Sequence, residues 1–381
     1  MTVAQTPGRE YVNVKRLEQK MAETGVDAII AVSPENTYYL SNTFIRTQIS
    51  VRDRLALVVW PIGGEPTFIV CNIEESLAQA HSPIKDIRTY VEFAESPIAK
   101  LVEVLEDKGL ADKRLGVEAR FLTAHYYQEL QRGAPKAQCK PTDEAIESVR
   151  AVKTPAEIDR IVDAYRKTEK TINDAWAASR LGDSEKVIAR RMLLGLLDNG
   201  ADSLRHITLT IGENTVHAHP RPSDRALRHG DLLLTDFGGN FFGFSSDMAR
   251  MGIAGKAGQR ELDEYARYRE VYVRLLHFMK PGVTAAEVYN FCKSEYAKRG
   301  FPMTSPHVGH SVSRLAGHEN PNLQPANQQV LEPDMLFAVE PSYKPAADRR
   351  YHVEDLVRVT TTGCEIYTDW KSTERMISLG G

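Results

Sequence analysis

The sequence predicts an α/β domain over residues 1–145, followed by an α+β domain over residues 146–381. Apolar runs typical of buried strands alternate with amphipathic helices in the first part. Helices and strand pairs come in separate runs in the second part. Between them, the segment APKAQCKPTDEAIESVRAVK carries prolines and charge and marks the boundary. With 381 residues, each domain has enough chain to bury its own core.

The predicted elements of the first domain follow one another in regular alternation. A helix over VKRLEQKMAETG ends at Gly25, and VDAIIAV and RLALVVW follow as buried-type strands. The apolar segment EPTFIV, a helix around SPIAKLVEVLEDKG, the strand RLGVE and a helix at TAHYYQELQR come next. This order favours a largely parallel or mixed sheet that is covered by helices.

The second domain begins with a strong helix signal. In TPAEIDRIVDAYRKTEKTI, Thr154 can cap the helix, Pro155 suits its first position, and Glu157 can cap in return. Three further helices are predicted at SEKVIARRMLLGLLDNG, ELDEYARYREVYVRLLHFMKPG and TAAEVYNFCKSEYAKRG. The β-rich stretches are HITLTIG, DLLLTDFGG, FFGFSSDMARMG, MLFAVEPSY and YHVEDLVRVT. Together they predict helices packed on an antiparallel sheet.

Composition excludes several classes of partner. The net charge is −3, with 26% charged and 42% hydrophobic residues, and no block of like charge indicates nucleic acid or a membrane surface. The N-terminus has no basic and apolar leader, and the run LALVVWPI is too short to span a bilayer. The sequence has four cysteines, Cys71, Cys139, Cys292 and Cys364. They are far apart and show no CxxC spacing, which fits a reducing compartment. We therefore expect a cytoplasmic protein.

Two aspartates flank a glycine- and aromatic-rich turn in DLLLTDFGGNFFGFSSDMAR. Asp236 shares a strand face with Leu232 and Leu234, where the pattern indicates core. If the segment is a hairpin centred between residues 241 and 242, Asp247 lies opposite Asp236 on the next strand. Such a pair is costly to bury unless a cation lies between the carboxylates. Solvent-exposed aspartates at the rim of a sheet are the alternative.

A second pair of acids favours the cation. Glu340 closes the apolar strand MLFAVE, and Glu354 lies in the apolar YHVEDLVRV, with KPAADRR as the turn between them. Two hairpins with an inward acid on each arm are difficult to explain as solvated faces. Four carboxylates need about four positive charges, which two divalent ions about 3.5–4 Å apart would supply. The segment SPHVGHSVSRLAGHENP offers nitrogen ligands in His307, His310 and His318.

These motifs resemble those of the pita-bread metallopeptidases, which include aminopeptidase P, prolidase, methionine aminopeptidase and the metal-free creatinase. ENTYYLSN and LALVVWPIGGEPTFIV resemble the creatinase-type N-terminal domain of that family. IGENTVHAHPRPSD, DFGGNFFGFSSDMAR, GHSVSRLAGHENP, VEPSY and VEDLVRVT follow in the order of its catalytic domain. The resemblance implies a creatinase-like domain over 1–145 and a pita-bread catalytic domain over 146–381.

The resemblance also implies a ligand set for two divalent ions. Asp236 would bind one ion through both oxygens, Asp247 and Glu354 would bridge the pair, and His310 and Glu340 would complete the second site. Coordination dominated by oxygen favours Mn²⁺, with Co²⁺ or Zn²⁺ as alternatives. Creatinase lacks this set, so the match points to the metal-using Xaa-Pro peptidase branch.

Three residues are candidates for catalytic roles, two of them from the same resemblance and Glu340 from the chemistry of a carboxylate. His219 and His318 would steady the substrate carbonyl and the tetrahedral intermediate. Glu340 would take a proton from water and pass it to the leaving nitrogen.

The match departs from the family pattern at several places. In the stretch GHSVSRLAGH, serines replace glycines, and His318 comes eight positions after His310, where the family has seven. His352 stands where the family commonly has arginine. Dipeptide-restricted prolidases carry an arginine that binds the substrate carboxylate, and QPANQQVLEPDM has none. This argues against a strict dipeptidase, with Arg349 and Arg350 as candidate substitutes.

The leading hypothesis is a dinuclear metal-dependent exopeptidase that hydrolyses the Xaa-Pro bond of dipeptides or at the N-terminus of longer peptides. A non-peptide small-molecule hydrolase or lyase on the same scaffold is the second hypothesis. A metal-free binding module that kept the fold is the third. The resemblance further implies a small peptide substrate and a homodimer.

Overall fold

A computed structural model describes residues 8–51, 53–315 and 317–379, which form two units, Met1–Ala156 and Glu157–Gly381. The helices of the first unit are α1 Val14–Thr24, α2 Pro34–Ser41, α3 Thr47–Ser50, α4 Glu75–His81, α5 Pro97–Asp107, α6 Ala124–Gly133 and α7 Asp143–Ala151. Its strands are β1 Ala28–Ala31, β2 Leu57–Pro61, β3 Thr67–Cys71, β4 Asp86–Tyr90, β5 Arg114–Val117 and β6 Gln138–Pro141. The boundary predicted near residue 145 lies within α7.

The strands of the first unit form one sheet in the order β4-β3-β2-β1-β5-β6. β2 pairs antiparallel with β1 and β3, and the other neighbours are parallel, so the predicted mixed sheet is confirmed. Successive residues point to opposite faces. Ile30 therefore packs in a cluster with residues of α5 and α6, whereas Ile29 packs with residues of α1 and α7.

One segment of the first unit is among those that resemble the creatinase-type domain. ENTYYLSN, which is rich in aromatic residues, lies in helix α2, where the Ser33 side chain accepts a hydrogen bond from Asn36 N and Pro34 occupies the first turn. Tyr38 and Tyr39 in this helix are buried.

The second unit has four longer helices and eleven strands among its described residues. The helices are α8 Pro155–Ala177, α9 Glu185–Asp198, α10 Gln259–Phe278 and α11 Ala285–Lys298. The strands are β7 Ser203–Ile211, β8 Leu232–Phe241, β9 Phe244–Ser245, β10 Met248–Ala254, β11 Gly309–Ser311, β12 Leu336–Val339, β13 Ser342–Ala346, β14 Arg349–His352, β15 Asp355–Val359, β16 Cys364–Ile366 and β17 Ile377–Leu379. No helix in the described ranges is both long enough and apolar enough to cross a membrane.

Three sheets organise the second unit. β17, β10, β8 and β7 form the first in that order, and β9 also pairs with β8. β11, β12, β15 and β16 form the second, and β13 and β14 make a separate hairpin. Helices in runs and mainly antiparallel strands confirm the predicted α+β class. The helix predicted at TAAEVYNFCKSEYAKRG is α11, and Thr284 and Glu287 cap each other at its start.

Candidate metal centre

The first two candidate ligands lie on the hairpin formed by β8 and β10. The turn falls at Phe242 and Gly243, which both have positive φ, 50° and 77°. Asp236 therefore pairs with Ala249, and the register places Asp247 opposite Gly238. The predicted direct pair of Asp236 and Asp247 is thus wrong by two residues, because a two-residue turn with left-handed backbone moves the hairpin centre. The aspartates lie diagonally on one face and still converge.

Glu340 and Glu354 lie where the second sheet continues into the β13–β14 hairpin. Val339 pairs with Asp355 on one side, and Ser342 pairs with His352 on the other. These registers place Glu340 opposite Glu354. The expectation of an inward acid on each arm agrees with their exposure, since the Glu340 side chain is 14% exposed and the Glu354 side chain 1%.

His310 joins both acid pairs. It lies on β11, with its side chain only 1% exposed. Its Nε2 is 3.7 Å from Asp247 Oδ2, 3.4 Å from Glu340 Oε1 and 3.8 Å from Glu354 Oε1. Ligand-type atoms of Asp247, His310 and Glu354 all lie within 4.8 Å of one another, as do those of Asp236, His352 and Glu354. The structure thus brings together all five residues that the sequence suggested as ligands.

The electrostatics of this cluster fit bound cations. Both carboxylate oxygens of Glu354 are buried, and neither has a hydrogen-bond partner among the described residues. Burial and the charge of Asp247 raise the pKa of Glu354 well above its usual range. Burial and the charges of Asp236 and Asp247 raise the pKa of Glu340 in the same direction. A carboxylate pair of this kind needs positive charge to remain ionised near neutral pH.

Burial lowers the pKa of His310 to about 3, so its imidazole is neutral and its Nε2 has a free lone pair. Neutral imidazole is the form that binds metal ions. The Glu354 oxygens, which accept no hydrogen bond from the described residues, and the neutral nitrogen of His310 are therefore suited to bind a divalent ion.

Sequence reasoning missed two members of the cluster, Arg205 and His206 on β7. Arg205 Nη1 donates to Asp247 Oδ2, and His206 Nε2 lies 2.6 Å from Asp236 Oδ1 and 3.1 Å from Asp247 Oδ1. Burial alone would lower the pKa of His206, but the charge of Asp247 and the hydrogen bond to Asp236 outweigh burial and raise this pKa to about 10. HITLTIG was expected as a strand, and nothing in its spacing indicated where the histidine would point.

The segment between His310 and His318 accommodates its extra residue as a closed loop. Ser311 and Glu319 exchange backbone hydrogen bonds at its base. Leu315 has a positive φ of 60°, and its N–H donates to Gly243 O. The ring of His318 consequently stacks on His310, with centroids 3.7 Å apart. His318 Nε2 is 4.0 Å from Glu340 Oε1, and its side chain is 48% exposed.

The other candidate catalytic histidine, His219, has a different environment. It follows the short helical turn at Gly212–Val216 and is exposed. No hydrogen bond, ion pair or ring contact joins it to the carboxylate cluster within the described part of the chain. The structure therefore brings His318 into the cluster, whereas His219 remains at the surface of the same unit.

The two arginines of the β13–β14 turn point in opposite directions. Arg349 makes a paired salt bridge with Glu264, at 2.6 Å for both bonds. Arg350 lies on the other face with His352, whose Nε2 is 3.5 Å from Glu340 Oε2 and 3.9 Å from Asp236 Oδ2. Nε and Nη2 of Arg350 are buried and have no hydrogen-bond partner among the described residues. Arg350 is therefore an inward cation.

A buried ion-pair network holds the two halves of the cluster together. Arg250 on β10 donates to Asp355 Oδ1 at 2.8 Å and to the backbone oxygen of Glu354 at 2.7 Å. Glu354 N in turn donates to Ala249 O at 3.1 Å. These contacts join the hairpin that carries Asp247 to the strand that follows Glu354.

With this geometry in place, comparison with known proteins defines the class. Residues 141–361, more than half of the chain, match the model of metallopeptidase family M24. Residues 13–152 match the creatinase/prolidase N-terminal domain. The chain therefore belongs to metallopeptidase family M24, a family of peptidases that use divalent metal ions, and the predicted pita-bread fold with a creatinase-type N-terminal domain is confirmed.

Known proteins are similar to this chain over nearly its whole length. An Xaa-Pro dipeptidase of Pyrococcus horikoshii is 26% identical over 360 residues, covering 93% of this chain and 96% of that protein. Among solved structures, an X-Pro aminopeptidase of Thermotoga maritima superposes with a TM-score of 0.82 at 19% identity, covering 95% and 100% of the two chains. A prolidase of Pyrococcus horikoshii superposes with a TM-score of 0.81 at 24% identity, covering 93% of this chain and 97% of that chain.

Proposed function

We propose that this protein is a two-metal exopeptidase that hydrolyses the bond between an N-terminal residue and proline. The observation that carries the proposal is the convergence of four carboxylates, in which both oxygens of the buried Glu354 lack a hydrogen-bond partner among the described residues. The Xaa-Pro dipeptidase relative, similar over 93% of this chain, supports the choice of substrate.

Five residues would hold the ions. Asp236, Asp247 and Glu354 would serve the first, and Asp247, His310, Glu340 and Glu354 the second. Two divalent ions bound there would lower the pKa of a water to about 7 and polarise the scissile carbonyl. Their oxygen-rich set favours Mn²⁺, with Co²⁺ or Zn²⁺ as alternatives.

Proton transfer would fall to Glu340. As a carboxylate it can accept a proton from water and release it to the proline nitrogen as the bond breaks. Burial lowers the pKa of His318, so a neutral imidazole beside Glu340 would donate a hydrogen bond to the substrate carbonyl oxygen. His219, exposed on its loop, would reach the substrate from the solvent side.

The position of Arg350 indicates whether the enzyme accepts dipeptides as well as longer peptides. The two buried nitrogens of Arg350, which have no hydrogen-bond partner in the described part of the chain, lie on the strand face that carries His352. The carboxylates around it would be neutralised by the two ions. A guanidinium in that position suits an anionic group of the substrate, such as the C-terminal carboxylate of an Xaa-Pro dipeptide. We therefore include dipeptides among the substrates.

The experiment that tests the function compares substrates on reloaded enzyme. Chelator-treated protein, reloaded with Mn²⁺, should hydrolyse Ala-Pro, Gly-Pro and Ala-Pro-Gly, and should leave Ala-Ala and Pro-Ala nearly untouched. Inactivity on every peptide, with the ions bound, would instead favour a non-peptide hydrolase or lyase. His352, in place of the family's usual arginine, is the feature that favours this second function.

Assembly and compartment belong to the same proposal. We infer a homodimer from the resemblance to two-domain relatives. All four cysteines are free, which supports a reducing compartment such as the cytoplasm.

A further inference from the structure

We propose that His206 is a sixth protein ligand of the metal centre, giving the first ion an imidazole nitrogen. This inference rests on the proposed two-metal function. His206 Nε2 lies 2.6 Å from Asp236 Oδ1 and 3.1 Å from Asp247 Oδ1. Neighbouring ligands about 2.1 Å from one ion and at right angles are about 3.0 Å apart. Both distances from Nε2 therefore fit a shared coordination sphere, in which the ion would replace the proton that Nε2 shares with Asp236 Oδ1.

A local irregularity of β7 puts His206 there. Leu204 pairs with Gly239 and His206 with Gly238, so Arg205 is an extra residue on this strand. In a regular strand, Arg205 and His206 would point to opposite faces. The bulge instead lets both side chains reach Asp247. Bulges that redirect a side chain occur preferentially next to active sites.

Two glycines leave room for this pair. A Cβ at Gly238 would lie 3.0 Å from His206 Cε1 and 2.0 Å from Ser246 O, so a side chain there would crowd the imidazole. A Cβ at Gly317 would lie 1.9 Å from Arg205 Cζ. Gly317 belongs to the lengthened segment between His310 and His318. Gly317 in the lengthened segment and the bulge of β7 thus lie beside the same guanidinium.

The carboxylate of Asp247 lies between two histidines, His206 and His310. Its Oδ1 faces His206, and its Oδ2 faces His310 Nε2 at 3.7 Å and accepts from Arg205. A carboxylate that bridges two ions would then have one histidine on each side. With His206 included, each ion has one nitrogen ligand among its oxygens. Imidazole suits Zn²⁺ and other late transition metals, so this nitrogen shifts the preference of the first site from Mn²⁺ towards Co²⁺ or Zn²⁺.

The test is a cobalt titration of chelator-treated full-length protein, followed by calorimetry, visible absorption and proton NMR. The wild type should bind two Co²⁺ ions and show two paramagnetically shifted, exchangeable imidazole N–H signals, one from each histidine ligand. His206→Gln should lower the affinity for one of the two Co²⁺ ions by at least about tenfold. It should also lose one of the shifted signals.

His229→Gln is the matched control, because His229 is exposed and lies in none of the carboxylate groups. It should bind both ions like the wild type. One shifted signal in the wild-type protein would overturn the inference without any variant, as would equal affinities in His206→Gln. If the wild type takes up no Co²⁺, the two-metal function fails as well. If it takes up two ions and cleaves Ala-Pro but shows a single imidazole signal, only the role of His206 fails.

Discussion

Arg250 and Asp355 form an ion pair at 2.8 Å in which neither side chain is more than 1% exposed. The pair links β10 to β15, the strands that extend from Asp247 and Glu354. Tyr272 and Thr368 donate to the same carboxylate, at 2.5 and 2.6 Å, so Asp355 is fully engaged. The candidate metal centre is therefore supported by a buried ion-pair network that forms without any metal ion.

Removal of Asp355 should destabilise the fold strongly. Asp355→Ala leaves the Arg250 guanidinium buried with part of its partners gone, which costs about 3–5 kcal/mol of unfolding free energy. Urea denaturation of metal-free protein at neutral pH measures this change. Lys186→Ala, which removes an exposed ion pair with Asp224, should cost no more than about 1 kcal/mol. Equal effects of the two variants would contradict the structural role of the buried pair.

Asp247→Asn should lose both metal and activity. The amide keeps the shape of the side chain but cannot bridge two ions as a carboxylate does, so activity on Ala-Pro should fall by at least about 10³-fold. Metal analysis should show fewer than two ions per chain. Asp224→Asn, at an exposed aspartate, is the matched control and should match the wild type. Full activity with two bound ions in Asp247→Asn would show that the bridge is assigned to the wrong residue.

His318→Gln should separate catalysis from metal binding. Its Nε2 is close to Glu340, but the side chain is half exposed and lies outside the groups that contain Asp247. The variant should therefore keep two ions while kcat falls by about 10²-fold or more. Steady-state kinetics and metal analysis of the same preparation decide the matter. A loss of one ion would make His318 a ligand, and an unchanged kcat would remove it from catalysis.

Metal affinity should weaken as pH falls. The pKa values of Glu340 and Glu354 are raised in the metal-free fold, by burial first and by neighbouring carboxylates next. These groups therefore keep protons at a pH where ordinary glutamates are ionised, and a cation must displace those protons to bind. Calorimetry near pH 6.5 in two buffers of different ionisation enthalpy should detect this proton release. Affinity that is independent of pH, with no protons released, would contradict the account.

Arg350→Gln should discriminate between substrates by their C-terminus. If the guanidinium binds a carboxylate, its loss should raise KM for Ala-Pro by about 10–100-fold, the value of a hydrogen bond to a charged group. KM for the amide of Ala-Pro, which has no such charge, should change little. A parallel rise for both substrates would mean that Arg350 supports the site only indirectly.

The candidate ligands could be found from sequence because each acid interrupts or ends an apolar strand. Asp236 lies among the buried leucines of β8, and Glu340 directly follows the buried Val339. The family motifs then gave their order. Such positions are readable because burial of an unpaired carboxylate is too costly to occur by chance on two hairpins.

Other features could not be read because they depend on single residues in turns and bulges. The Phe242–Gly243 turn displaced the β8–β10 register by two residues relative to the expected hairpin. The bulge at Arg205 brought His206 into the cluster, although periodicity alone gave no sign of it. In the first unit, the sequence pattern predicted no element at ENTYYLSN, whereas the cap at Ser33 and Pro34 in the first turn start helix α2 there.

The number of divalent ions that the folded chain binds tests the central claim most directly. Chelator-treated protein titrated with Mn²⁺ in a calorimeter should take up two ions per chain, and its unfolding temperature should rise with the free ion concentration. The same titration of Glu354→Gln, which removes the carboxylate whose oxygens have no hydrogen-bond partner among residues 8–51, 53–315 and 317–379, should lose at least one ion. A wild-type protein that stays folded and takes up no Mn²⁺, Co²⁺ or Zn²⁺ would contradict the claim that these four acids are held together by cations.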